Sequence, residues 1–161
     1  EDAVIEGIND SKKLSEKKRE ELFDIIISTA VAYSITPVSA EEIDKINIRN
    51  ATYKAMNMSV NSLSVPAKFV LVDGDAITGM TLPHKTVIKG DATSQSISAA
   101  SILAKVSRDR FMLELDKQYP QYQFAKHKGY GTKLHYEMLT EHGISDCHRL
   151  TFLKSFTGEK K

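Results

Sequence analysis

Apolar positions along this chain fall into short runs whose spacing changes several times. Leu22, Phe23, Ile26 and Ala30 recur at helical spacing behind a charged first half. Ser15 stands where a side-chain oxygen caps the first free amides, so a helix is predicted from Glu16 to about Thr29. Ahead of it, residues 1–14 show no alternation and carry the turn formers Gly7, Asn9 and Asp10, which predicts an irregular lead-in. Residues 31–38 mix β-branched and aromatic side chains and end near Pro37, the mark of a strand. Ser39 with Glu42 three residues later is a capping box that opens a short helix. A second helical stretch comes after it, with Ile48, Thr52, Ala55, Ser59 and Leu63 near one face and Pro66 closing the segment.

The pattern then switches to strands. Phe69 to Val72 is a short continuous apolar run, as expected of a strand buried on both faces, and it stops at Asp73-Gly74-Asp75. Gly79 and Pro83 mark a turn, and Thr86 to Ile88 forms a second brief strand ending at Lys89-Gly90-Asp91. The longest helix comes next, with Ile97, Ala100, Ala104 and Phe111 on one stripe and Pro120 closing it. Its small residues Ser98, Ala99, Ala100 and Ser101 suit close approach to a neighbour. Residues 121–131 read as a basic, aromatic, glycine-containing loop, and Thr132 opens a last helix that Gly143 ends. The order of elements is that of an α/β protein.

At 161 residues the chain reads as one domain with enough apolar residues for a core. It has no apolar run of roughly 18 residues and no leader pattern, so a soluble, intracellular protein is expected. The single cysteine, Cys147, excludes an internal disulfide framework and a four-thiolate zinc site. A formal net charge of +1 says nothing about a nucleic-acid partner. Positive charge is nevertheless clustered at Lys12, Lys13, Lys17, Lys18 and Arg19, at Lys126, Lys128 and Lys133, and at the Lys160-Lys161 tail. The chain begins at Glu1 without an initiator methionine, and residue 1 is therefore not expected to be the start of the gene.

Asp73 and Asp91 each stand just beyond the end of a predicted strand, where open α/β sheets place ligands. Two readings are open at this point. Either the pair ends the strands and caps the next elements, or it converges on a divalent cation that offsets the cost of burying two carboxylates. Hard oxygen ligands with no Cys or His beside them in sequence suit magnesium or manganese. Asp75 reads as a turn residue and Asp109 as a helix-surface charge beside Arg108 and Arg110. His127, His135 and His148 read as near-surface hydrogen-bonding groups rather than catalysts.

Four segments occur in an order that resembles the ribonuclease HII signature: Asp10-Ser-Lys-Lys-Leu14; Val72-Asp-Gly74; Gly90-Asp91 running into Ser98-Ala-Ala-Ser-Ile-Leu-Ala-Lys-Val-Ser-Arg-Asp109; and Lys126-His-Lys-Gly-Tyr-Gly-Thr132. His148-Arg149 with Phe152 is similar to the family's C-terminal element. The resemblance implies a ribonuclease H-like mixed sheet of five strands flanked by helices, with a helical C-terminal extension. Residues 1–120 would form the core and residues 121–161 the basic loop and extension.

It also implies a cytoplasmic endonuclease, acting as a monomer and away from membranes. Its substrates would be RNA–DNA hybrids and ribonucleotide-containing DNA, cut with Mn2+ or Mg2+ held by four carboxylates. By motif, Asp73 and Asp91 would be catalytic metal ligands. Tyr130 would pack against the sugar beside the ribonucleotide, with Lys12, Lys126 and Lys128 on phosphates.

The family pattern begins with a strand carrying Asp-Glu-x-Gly-Arg-Gly, and no position here matches it. Glu1-Asp2 is acidic but no Gly-Arg-Gly stands after it. The central strands of the sheet are therefore expected to be absent from this chain, or supplied by another, and the chain alone is expected to be inactive. A binding remnant without catalysis is the alternative.

Overall fold

A computed structural model describes residues 3–158; the acidic pair Glu1-Asp2 and the Lys160-Lys161 tail lie outside the described residues. The chain divides into two compact units. One comprises the described residues up to Val38 together with Arg49–Val106, and the other comprises Ser39–Ile48 with the chain from Ser107 onward.

In the first unit, helix α1 spans Glu16–Thr29, and the Ser15 side chain accepts the Lys18 N–H at 3.2 Å. The lead-in before it is irregular, as the turn formers require. Leu22, Phe23 and Ile26 on α1 pack with Ile102, Leu103 and Val106 of the long helix α3, Gln95–Gln118. Leu22 and Ile102 are fully enclosed, and burying a leucine-sized side chain stabilises a fold by about 2 kcal/mol. The stripe expected on α3 is not the buried one. Ile97 is buried, but Ala100 and Ala104 are exposed and Phe111 is 60% exposed, while Ile102, Leu103, Val106 and Met112 face inward. Alanines contribute little apolar area, so the larger side chains set the helix rotation.

Strands β1, Val70–Asp73, and β2, His84–Val87, form a parallel pair in which Val70 faces His84 and Asp73 faces Val87. β1 is not buried on both faces. Val72 is enclosed, but Phe69 is 55% and Leu71 41% exposed, because these two strands are the whole sheet among the described residues. Ile88, expected to end β2, lies outside it and is exposed.

Residues 31–38 alternate in exposure as a strand would, yet form none. A strand exists only with a ladder partner for its N–H and C=O groups, and the described residues offer it none.

Helix α2, Ala40–Asn61, is two helical pieces joined across a kink at Asn47, whose φ of 65° breaks the helix. Ser39 caps the first piece by accepting the Glu42 N–H at 3.1 Å. The part from Arg49 onward belongs to the first unit and buries Ala51; Ile48 and Thr52, expected near one face of the stretch, are exposed. The helix stops at Asn61, before Pro66.

The second unit is built on Met112, Tyr122, Phe124, Leu139 and Leu153. Residues 121–131 are more ordered than a loop. They contain a 3-10 turn, Pro120–Tyr122, and the one-turn helix α4, Phe124–His127, bracketed by Gln123 and Lys128 in left-handed backbone. Helix α5, Lys133–His142, begins where Thr132 accepts the His135 N–H at 3.3 Å and ends at Gly143. A 3-10 turn, Leu150–Phe152, and α6, Lys154–Thr157, complete the extension. Asp44 caps that turn from far away in sequence, accepting the Leu150 and Thr151 amides at 2.7 and 3.0 Å and the Thr151 hydroxyl at 2.5 Å. Burial acts to raise the Asp44 carboxyl, but these donors outweigh it and hold the group below the usual range.

Candidate active site

Parallel pairing brings the C-terminal ends of β1 and β2 together. Asp73 closes β1, and its Oδ1 accepts the Gly90 N–H at 2.8 Å. The carboxylate thus sits against the backbone immediately preceding Asp91. Asp91 itself lies in a 3-10 turn, Gly90–Ala92, and is 7% exposed. Its carbonyl accepts the Ser98 hydroxyl at 2.5 Å, which ties the turn to the start of α3. Gly90 has no room for a side chain: a Cβ there would collide with Ile97, and Val87 is only 3.3 Å away. These contacts fix the loop that carries Asp91 against the strand that carries Asp73.

Both residues offer hard carboxylate oxygens, the donor type magnesium and manganese take. Among the described residues no group of three or more His, Cys, Asp or Glu side chains is arranged to hold a metal ion.

Lys12 reaches the same place from the N-terminal motif. Its Nζ is 3.9 Å from Asp91 Oδ2, with the lysine side chain 82% exposed. The separation is long for an ion pair, and while the carboxylate is buried the ammonium end of the pair faces solvent. The motif that presents Lys12 is well tied down: Asp10 Oδ1 accepts the Lys12 N–H at 2.9 Å, and the Ser11 hydroxyl meets that of Ser101 on α3 at 2.9 Å. The Arg19 guanidinium also donates to the Ser11 and Leu14 carbonyls at 3.0 and 2.6 Å. Sequence reasoning does not reach these roles of Ser11 and Arg19; the Asp-Ser turn is their only local signal.

Within the second unit, the Tyr130 ring is 56% exposed. Lys126 Nζ donates to Gln123 Oε1 at 2.6 Å and Lys128 Nζ to the Ala125 carbonyl at 2.7 Å, so both ammoniums are engaged by their own loop. Beneath Tyr130 lie the histidines. His127, His135 and His148 are buried rather than near the surface, at 6%, 7% and 7% exposure. His127 and His135 stack with ring centroids 4.3 Å apart, and His148 lies 5.5 Å from His135.

His127 bonds the Tyr122 carbonyl through Nε2 and accepts the Gly129 N–H at Nδ1, which defines its Nε2–H tautomer. His135 Nδ1 donates to the Tyr130 carbonyl at 3.0 Å. Burial pushes His135 and His148 below the ordinary histidine range, and each leaves Nε2 without a partner. These rings support the loop from inside. Burial also raises the Cys147 thiol, which leaves it protonated and unreactive at neutral pH. Asp109, expected at the helix surface, is also buried, at 7%.

Asp73 at the end of β1, Asp91 in the 3-10 turn after β2 and a well-held, lysine-bearing turn sit in an α/β fold of the ribonuclease H2 type. The fold agrees with that of ribonuclease H2 from Pyrococcus horikoshii OT3 at a TM-score of 0.77, with 25% identity over 95% of this chain and 80% of that one. The model of the ribonuclease HII family matches residues 5–155, and the chain belongs to that family. Ribonuclease HII of Clostridioides difficile (strain 630) is 52% identical over 96% of this chain, and that of Endomicrobium trichonymphae 54% over 94%. The chain spans 60% of the length of the first of these relatives and 72% of the second. No helix among the described residues is long and apolar enough to cross a membrane.

Proposed function

We propose that this chain is the larger part of a cytoplasmic, monomeric endoribonuclease. It hydrolyses the RNA strand of RNA–DNA hybrids and cuts 5′ to single ribonucleotides in duplex DNA, leaving a 3′-hydroxyl and a 5′-phosphate. The observation that carries this reading is the Asp73 carboxylate bonded to the backbone at Gly90, directly before Asp91, in a chain matched over residues 5–155 by the family. Asp73 and Asp91 hold Mn2+ or Mg2+ together with further carboxylates from an Asp-Glu-x-Gly-Arg-Gly strand upstream. When bound, a pair of such cations activates the attacking water and stabilises the leaving oxygen.

The chain's own residues do the remaining work. Asp73, oriented by the Gly90 amide, and Asp91, fixed by Ser98, present acceptor oxygens at a constant place. Lys12 offers its exposed ammonium to a backbone phosphate beside Asp91, which positions the duplex without reading bases. Tyr130 lays its exposed ring against a sugar, and Lys126 and Lys128 add positive charge nearby in the same loop.

The deciding experiment compares the 161-residue chain with a version extended upstream through Asp-Glu-x-Gly-Arg-Gly, on a DNA duplex carrying one ribonucleotide, with Mn2+ or Mg2+. The extended version should cut and the shorter one should not. Cleavage by neither, with hybrid binding retained by both, would mark a binding module instead. Comparable cleavage by both would mean that other acidic side chains complete the site.

A further inference from the structure

In the second unit, a guanidinium lies directly over the residue proposed to touch the sugar. Arg108 stands on α3, and its guanidinium carbon is 5.5 Å from the centroid of the Tyr130 ring. Its Nη1 also donates to the Lys128 carbonyl at 2.8 Å. That carbonyl belongs to the residue that ends α4 in left-handed backbone, with Gly129 next at φ +73°. Two successive residues with positive φ make a sharp and costly reversal, and it sets the direction in which Tyr130 leaves the loop. The space is tight: a Cβ on Gly129 would approach Met112 Cε to 3.2 Å and Arg108 Nη2 to 3.5 Å. Glycine is thus favoured by its backbone angle, and the arginine packs against that point at ordinary contact distance.

We propose that Arg108 is a positioning residue for Tyr130. One guanidinium fastens the turn through the Lys128 carbonyl and covers the ring as a cation over its face, holding the ring against the substrate's sugar. His127 and His135 grip the same stretch from inside, through the Gly129 amide and the Tyr130 carbonyl. They fix the backbone, and Arg108 reaches the side chain as well. The geometry needs a planar group with several donors. Arginine provides it; lysine, a single rotatable ammonium, does not.

This inference rests on Tyr130 meeting the substrate, so the test separates the two. Hybrid binding and single-turnover cleavage are measured in the protein translated from the whole reading frame, for Arg108→Met, Arg108→Lys, Tyr130→Ala and the double variant Arg108→Met with Tyr130→Ala. Removing a ring-face cation and its hydrogen bond should weaken cleavage about fivefold to tenfold. Arg108→Lys should recover little of that loss. On the Tyr130→Ala background, Arg108→Met should cost nothing further.

A loss that persists without Tyr130, is largely restored by Lys, and lowers the salt slope of binding by about one would overturn the proposal and make Arg108 a phosphate contact. An effect of Tyr130→Ala with none from Arg108→Met would also overturn it. No effect of Tyr130→Ala would instead defeat the sugar-contact reading beneath it. Should Arg108→Met fail to fold, Arg108→Gln keeps a donor for the Lys128 carbonyl without the charge, and fluorine NMR of a fluorotyrosine at position 130 reports whether the ring has lost its fixed orientation.

Discussion

The strand ends and the C-terminal unit reverse the usual distribution of side chains in opposite ways. Around β1 and β2, apolar residues lie bare: Phe69, Leu71 and Ile88 are 55%, 41% and 72% exposed. Between α4 and α5, three imidazoles are shut inside with Tyr122 and Phe124. In the first region Asp73 is exposed and accepts one backbone amide, and Asp91, though buried, is held through its backbone carbonyl rather than its carboxylate, so their charge can change with little effect on folding. In the second, polar atoms are part of the core packing, and altering them alters stability. Acid residues at the sheet edge are therefore readable by activity, and the histidines by unfolding.

The largest expected effect tests the first half of that contrast. In the extended protein, Asp73→Asn and Asp91→Asn should each lower the cleavage rate by about a thousandfold or more, since losing charge stabilisation at a phosphoryl centre costs several kcal/mol and about 1.4 kcal/mol is tenfold. Thermal unfolding of the same variants should barely move. A large fall in melting temperature would show that the carboxylates belong to the folding core after all.

Phe124→Ala tests the other half. Phe124 is 2% exposed and contacts all three histidine rings, and its truncation should cost about 3–5 kcal/mol in urea unfolding. A cost under about 1 kcal/mol would mean that the unit is loosely packed.

A smaller effect concerns pH. His135 and His148 titrate lower in the folded chain than in the unfolded one, where histidine has a pKa of about 6.5. Below that value the unfolded chain binds more protons, so stability is present above about pH 6.5 and is lost as pH falls through the folded-state values. Urea unfolding should show lower stability at pH 5.5 than at pH 7.5, and His135→Phe should reduce the difference. A stability that is flat or rises on acidification would contradict the burial of these rings.

The smallest effects belong to the helix caps. Ser15→Ala and Thr132→Ala should each cost about 1 kcal/mol, one in each region and alike in size. A difference greater than about twofold would show that one cap carries tertiary contacts as well.

Those caps are the most legible part of the chain. Ser15, Ser39, Thr132 and Gly143 act on backbone groups within four residues, and their meaning does not depend on the rest of the fold. The position of Asp73 is legible for a related reason, since an apolar run that stops at an aspartate marks a strand end wherever the strand lies; Asp91 lies further on, in the 3-10 turn after β2. Features that depend on partners elsewhere are not. Residues 31–38 have the side chains of a strand but no ladder. The buried face of α3 departs from the expected stripe because Ala100 and Ala104 lie in phase with Ile97 yet contribute little area. The supports of Tyr130 are hidden for the same reason: Arg108 acts on a carbonyl 20 residues away, and His127 and His135 are recognisable only once their rings are seen stacked.

The Asp44 clamp has a consequence for the order in which the chain can mature during synthesis. Its partners, Leu150 and Thr151, are 106 and 107 residues downstream. A ribosome adding about 5–20 residues per second reaches them roughly 5–20 s after Asp44 is made. Throughout that interval the first piece of α2 waits without its contact, while α1 and the early part of α3 have all the side chains of their own core once Val106 is made, well before Leu150. The N-terminal packing can therefore form while translation continues, and the C-terminal unit, with the loop that carries Tyr130, is completed only when the last stretch of the chain has emerged.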